Sequence, residues 1–159
     1  MIDFRSRFES IDTHLASNMG RWGIPALRIS IAIIFIWFGI LKPIGISPAA
    51  DLVRETVSWM PVFDPDQWLI IIGWWEVLIG LSFLHPRTIR FAILLLALQM
   101  VGTFLPLIVL PDIVFQPERI PFGPTLEGQY IIKNLVIIAA AIAVGGTVRD
   151  QSKPARSEG

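Results

Sequence analysis

Cysteine is absent from this 159-residue chain, and histidine occurs only twice, at His14 and His85. The first absence excludes thiol–disulfide chemistry, iron–sulfur clusters and thiolate zinc sites, and it leaves the redox compartment unread. The two histidines are too few and too far apart for a metal site or a bis-histidine haem. Charge is scarce as well. Only 16% of residues are Asp, Glu, Lys or Arg, against roughly 25% in a soluble domain, and the formal net charge is zero. No polybasic surface calls for nucleic acid. There is no glycine-rich phosphate loop, no nucleophile elbow, no metal-binding run and no convincing internal repeat. The first twenty residues carry Asp3, Glu9 and Asp12 without an apolar stretch behind the initial methionine, which reads against a signal peptide.

What is present is apolar. The chain is 53% hydrophobic with a mean hydropathy of +0.64, and its length suits one compact unit. Four apolar runs stand out, at 23–42, 67–85, 90–110 and 129–147. Each is about twenty residues, the length a helix needs to cross a bilayer core. A soluble bundle would show polar faces over far more of each run. The fold expected is therefore all-α: a polytopic membrane protein, an antiparallel bundle of four transmembrane helices with short interfacial amphipathic helices. Residues 1–22 form a cytoplasmic amphipathic segment, 23–147 the transmembrane domain, and 148–159 a flexible cytoplasmic tail.

Lys and Arg orient the spans. Arg5, Arg7, Arg21, Arg87, Arg90, Arg149, Lys153 and Arg156 fall on one side, and Lys42, Arg54 and Arg119 on the other. That asymmetry predicts both termini in the cytoplasm. Trp22, Trp59 and Trp68 fall near the expected interfaces.

Two further segments have one apolar face. In the first, Phe4, Phe8, Ile11, Leu15 and Met19 recur at helical spacing, and Gly20, Gly23 and Pro25 offer a bend into the first span. In the second, Ser47 and Pro48 suit a helix start, Leu52, Val53, Thr56, Val57 and Met60 share a face, and Pro61 stops the run. Each segment either lies on a membrane surface or packs against the bundle. The stretch from Pro111 to Glu127, with Pro111, Pro117, Pro121 and Pro124, is expected to lie extended across the outer mouth.

Polar residues inside the spans keep company with small ones. At about 100° per residue, Arg28, Ala32, Phe35, Gly39 and Lys42 share a face of the first span, and Glu76 sits beside Gly73 and Gly80 in the second. Ala92, Gln99, Thr103 and Pro106 align in the third. Lys133, Ile137, Ala140 and Val144 align in the fourth, with Asn134, Ala141 and Gly145 on the adjacent strip. Small residues let helices approach and polar ones bond across the contact, so these faces point inward. Glu76 and Gln99 fall near mid-span, Arg28 and Lys133 part-way in from opposite ends, and Lys42 at the outer rim. An unpaired carboxylate at that depth would take up a proton, so Glu76 is expected to pair with Lys133 or Arg28. The polar core thus comprises Arg28, Lys42, Glu76, Gln99, Lys133 and Asn134, with no metal. It is either a structural ion pair that fixes helix order or a pocket or proton site. Pro106 is expected to free a backbone carbonyl or bend its helix. His85, in "HPR" at 85–87, reads as a surface residue at a helix stop.

These residues suggest a family. "RISIAIIFIWFGILKPIG" (28–45), the glutamate of "GWWEVLIGLSFL" (73–84) and "FGPTLEGQYIIKNLVIIAAAIAVGG" (122–146) together resemble the DoxX-like membrane proteins, especially the YkgB branch. In that family the first span begins with a basic residue and ends in Phe/Trp-x-Gly-x-x-Lys, here Trp37, Gly39 and Lys42. A glutamate sits in the second span. A Gly-x-aromatic-x-x-Lys-Asp/Asn pattern opens the fourth, here Gly128, Tyr130, Lys133 and Asn134. The resemblance covers nearly all of the chain after residue 25, while the N-terminal segment and the proline-rich loop depart from the short family pattern. It implies a four-helix bundle in the bacterial inner membrane. Relatives of this type occur with thiosulfate:quinone oxidoreductases and redox-stress complexes, or are linked to resistance to reactive chlorine.

The reading that follows is a redox-associated membrane subunit whose polar core receives a quinone or similar small molecule, with Phe35, Trp37 and Trp74 flanking the ring. Quinone is the one cofactor it brings in. The partners expected are the lipid bilayer and other membrane-complex subunits, with no nucleic acid, and no enzymatic activity is assigned. The alternatives are a non-catalytic accessory subunit and, with no paired discontinuous helices foreseen, a small transporter.

Overall fold

The computed structural model describes residues 4–147, with side chains for Glu9 and from Ile11 onward. The tail expected at 148–159 and the first three residues of the N-terminal segment lie outside the described residues.

The first helix, α1, runs from Phe4 to Leu41 without interruption, through Gly20, Gly23 and Pro25. The sequence allows a bend at those residues, and the helix passes through them without a break. Pro25 removes one backbone N–H, but the turns on either side keep theirs, and a single missing bond does not force a break where nothing else redirects the chain. Among the described residues nothing lies within 4 Å of a β-carbon built on Gly20 or Gly23, so none of them packs against the helix there. At its far end α1 closes on a glycine stop. Gly45 takes φ +79°, its N–H bonds Lys42 O at 3.1 Å, and the Ile46 N–H bonds Leu41 O at 3.1 Å.

Helix α2 (Ala50–Val57) follows, and its predicted apolar face packs inward: Thr56 and Val57 are buried, and Leu52 and Val53 half-buried. Arg54 ties it to the next element through Asp66 at 2.7 Å, with Asp51 at 3.0 Å. The Asp66 hydrogen bond holds the Arg54 guanidinium above its ordinary range. Helix α3 (Pro65–Leu84) starts where the Asp64 N–H donates to Gln67 Oε1 at 3.1 Å, with Pro65 in the first turn. A short 3₁₀ turn at Pro86–Thr88 leads into α4 (Ile89–Phe104), then α5 (Pro106–Val109) and α6 (Pro111–Val114). The carbonyl freed by Pro106, Gly102 O, accepts the Leu105 N–H at 3.2 Å. The fourth span is also divided, into α7 (Leu126–Ile132) and α8 (Asn134–Thr147). Discontinuities thus occur in both the third and fourth spans, contrary to the sequence reading.

Among the described residues there is no strand, and four stretches are long and apolar enough to cross a membrane: Ile11–Leu41, Pro65–Leu84, Pro86–Val109 and Leu126–Thr147. Each overlaps one of the four apolar runs, and the first begins twelve residues earlier than the run at 23–42. Helix α1 packs most extensively on α3, α3 on α4, and α8 on both α1 and α4. The α1–α3 contact is set by small residues. A β-carbon on Gly80 would meet Ala32 O at 2.8 Å, and one on Gly73 would meet Gly39 O at 2.8 Å, so residue numbers rise along one helix as they fall along the other. The main core joins Ala32 and Phe35, Ile79 and Phe83, Ala92 and Leu96, and Ala141 and Val144.

A second core at the other end holds the proline-rich stretch. Val114, Phe115 and Ile131 are buried together against Leu52, Phe104 and Leu107. Thr125 caps α7 through the Gly128 N–H at 3.2 Å, while its own hydroxyl donates to Ile113 O at 2.8 Å. The Gln116 N–H bonds Gly123 O at 2.8 Å. The stretch is a folded cap with one helical turn rather than a purely extended crossing.

Candidate functional site

Glu76 lies on the inner face of α3 and makes contacts to two other helices. Its Oε2 pairs with Lys42 Nζ from the end of α1, and its Oε1 accepts from Gln99 Nε2 of α4 at 3.0 Å. The Lys42 and Glu76 side chains are only 7% and 13% exposed, so the pair is largely removed from solvent. Lys42 Nζ also approaches Phe38 O at 3.4 Å. Thr103 donates to Gln99 O at 3.0 Å, one turn further along α4.

The partner of Glu76 is therefore Lys42, not Arg28 or Lys133. A helical side chain leans toward the N-terminus of its own helix, so Lys42 covers the turn before it, where Phe38 O lies. The glycine crossing does the rest. A β-carbon on Gly73 would stand 2.9 Å from Lys42 Cβ, and one on Gly39 would stand 3.0 Å from Glu76 Cβ. Each charged side chain thus starts against the glycine that precedes its partner by one turn. The paired Gly-x-x-Lys and Gly-x-x-Glu spacings, read with the lean of helical side chains, are the signal that could have named this pair.

Arg28 has a different task. Its Nε donates to Phe83 O at 3.2 Å and its Nη2 to Leu84 O at 2.9 Å, capping the carbonyls at the C-terminus of α3. It sits about 16 Å along α1 from Gly39, the residue Glu76 faces. Lys133 is exposed at the junction of α7 and α8, with Nζ 5.2 Å from the centre of the Tyr130 ring. Asn134 mends that junction: its Nδ2 donates to Tyr130 O at 3.0 Å and Ile131 O at 3.1 Å.

Beside the ion pair is a cavity of about 150 Å³, lined by Ile34, Phe35, Phe38, Glu76, Gln99, Met100, Thr103, Asn134 and Ile137. All four long apolar stretches contribute to it. Three of its walls, Ile34, Phe38 and Met100, do not appear in the sequence reading. Phe35 lines it as expected. Trp37 and Trp74 do not: they are 63% and 58% exposed, on the outer faces of α1 and α3. Ile34 and Phe38 are themselves partly exposed, so the cavity reaches the surface along the seam between α1 and α8. A larger depression of about 460 Å³ along Glu9, Thr13, His14 and Ser17 is formed by one exposed helix, and no second wall among the described residues closes it. Among the described residues no three His, Cys, Asp or Glu groups converge as metal ligands.

A space of this size holds one six-membered ring or a few waters. Its chemistry favours a ligand that donates hydrogen bonds. Glu76 presents carboxylate lone pairs, and Asn134 Oδ1 accepts no hydrogen bond from the described residues. Gln99, Thr103 and Asn134 have already committed donors to protein acceptors. Compared with protein-family models, curated proteins and solved structures, the chain matches none.

Proposed function

We propose that the chain is an integral membrane protein of the bacterial inner membrane, an antiparallel bundle of four transmembrane helices with both termini in the cytoplasm. In this reading it is a redox-associated subunit, and the cavity beside Glu76 receives the ring of a quinone-type molecule from the lipid. The observation that carries the reading is the cavity itself: ring-sized, bordered by an ion-paired carboxylate, and reaching the surface between α1 and α8 where lipid would lie. A quinol hydroxyl could donate to Glu76 or to Asn134 Oδ1, while Phe35 and Phe38 bound the ring. The isoprenoid tail would remain outside, since the cavity falls below the 300–1,000 Å³ of a full ligand pocket. The resemblance to DoxX-like proteins supports a redox setting.

The test is to purify the chain in mild detergent, extract it with organic solvent and analyse the extract for quinone by mass spectrometry. Added quinone should quench tryptophan fluorescence, because Trp75 lies on α3 next to Glu76 and bonds Leu95 O of α4 at 3.3 Å. No co-purifying quinone and no saturable quenching would refute the reading.

A further inference from the structure

The N-terminal part of α1 is more helix than a membrane requires. Its 38 residues span about 57 Å, and a bilayer core takes about 30 Å of that. With α1 crossing as proposed above, the first turns stand clear of the hydrocarbon as a stalk, because α1 stays helical through residues 20–25 without the break that would lay them on the surface. Yet the stalk has an apolar stripe. Ile11, Leu15 and Trp22 are 60%, 57% and 61% exposed, and none of the described residues approaches Gly20 or Gly23. At 100° per residue, Ile11, Leu15 and Trp22 fall within about 40° of the line taken by Ile29, Ile33 and Ile40 on the outward side of the span. Lipid would cover the line inside the membrane, and none of the described residues covers it above.

The stripe has the spacing of a two-stranded seam. With Phe8 at heptad position a, Leu15 and Trp22 are also a, and Phe4, Ile11 and Asn18 are d. The remaining positions between Glu9 and Arg21 are polar or small, Met19 excepted. In a parallel pair each g residue faces the following e residue of the other strand, which sets Arg7 against Asp12, opposite in charge. Asn18, at d, would face the Asn18 of a second copy across the seam, where the two amides can hydrogen-bond to each other.

We infer that residues 4–22 of α1 form a parallel coiled coil with the same segment of a second copy of this chain. Common insertion makes the two stalks parallel, and anchoring in one membrane supplies the effective concentration that so short a seam needs.

The chain has no cysteine, so single cysteines report cleanly. Ile11→Cys, Leu15→Cys and Thr13→Cys are made in the full-length protein and oxidised in native membranes. Disulfide dimers are expected at Ile11→Cys and Leu15→Cys and not at Thr13→Cys, which lies on the far side of the seam. Equal yields at all three positions, or none at any, overturn the inference. So does a nitroxide on Leu15→Cys that reports bilayer depth, which would place the stripe on lipid instead. Separately, Leu15→Asp should convert the protein in nanodiscs from dimer to monomer without moving the unfolding transition of its spans. A Leu15→Asp protein that stays dimeric also overturns it.

Discussion

Gly39 and Gly73 meet backbone to backbone: a β-carbon on either would stand 2.8 Å from the other's carbonyl oxygen. This crossing draws α1 and α3 close enough for Lys42 and Glu76 to pair. Gly73→Ala must also displace the Pro43 ring, 2.7 Å from the new carbon, and should destabilise by about 1–3 kcal/mol. Gly20→Ala, with open space around it, should be neutral or stabilising by up to about 1 kcal/mol. Thermal unfolding in detergent compares the two, and equal effects would contradict the packing described.

Breaking the Lys42–Glu76 pair on one side strands a buried charge. Glu76→Gln and Lys42→Met should each cost on the order of 3 kcal/mol. The double variant should cost clearly less than their sum, because it leaves neither charge alone. A double-mutant cycle on unfolding free energies measures this, and simple additivity would argue that the pair is not coupled.

Arg28→Ala should loosen the turn between α3 and α4. It removes two charge-assisted hydrogen bonds to Phe83 O and Leu84 O, together about 1.5–3 kcal/mol. Arg28→Lys should recover only part of this, since an ammonium lacks the planar fork that serves both carbonyls. Amide exchange should quicken at 85–90 and stay unchanged around Glu76. A uniform increase along α3 would mean that Arg28 supports more than the helix end.

Filling the cavity separates ligand binding from stability. Thr103→Leu adds apolar bulk to the cavity wall and gives up a hydroxyl that bonds only its own helix. Quinone-dependent fluorescence quenching should disappear while the unfolding temperature holds or rises. Quenching that survives would place the quinone elsewhere.

The inward faces of the spans are readable from spacing alone. Ala32, Phe35 and Gly39 on α1, Gly80 on α3, Ala92 on α4 and Val144 on α8 are all buried where the pattern puts them. Small and apolar residues at helical period leave little choice about which side faces a neighbour. Charge pairing is harder to read because it depends on the lean of side chains and the register between helices. Counting depth at Cα puts Lys42 at the rim and brings Arg28 and Lys133 too near Glu76. The unbroken passage of α1 through Gly20, Gly23 and Pro25 also escapes a local reading, because those residues permit a bend without requiring one.

The hydrogen bonds between helices are unevenly shared. Helices α1, α3 and α4 are tied by Lys42 to Glu76, Gln99 to Glu76, Trp75 to Leu95 O and Arg28 to the end of α3. Among the described residues, α8 offers no side-chain hydrogen bond to any of them, since Asn134 and Thr147 bond only nearby backbone. Three helices therefore make a stiff frame, and the fourth is a leaf held by shape and dispersion alone. On the function proposed above, a guest arriving from the lipid between α1 and α8 would part no polar contact among the described residues, and the carboxylate it met would already be held in place.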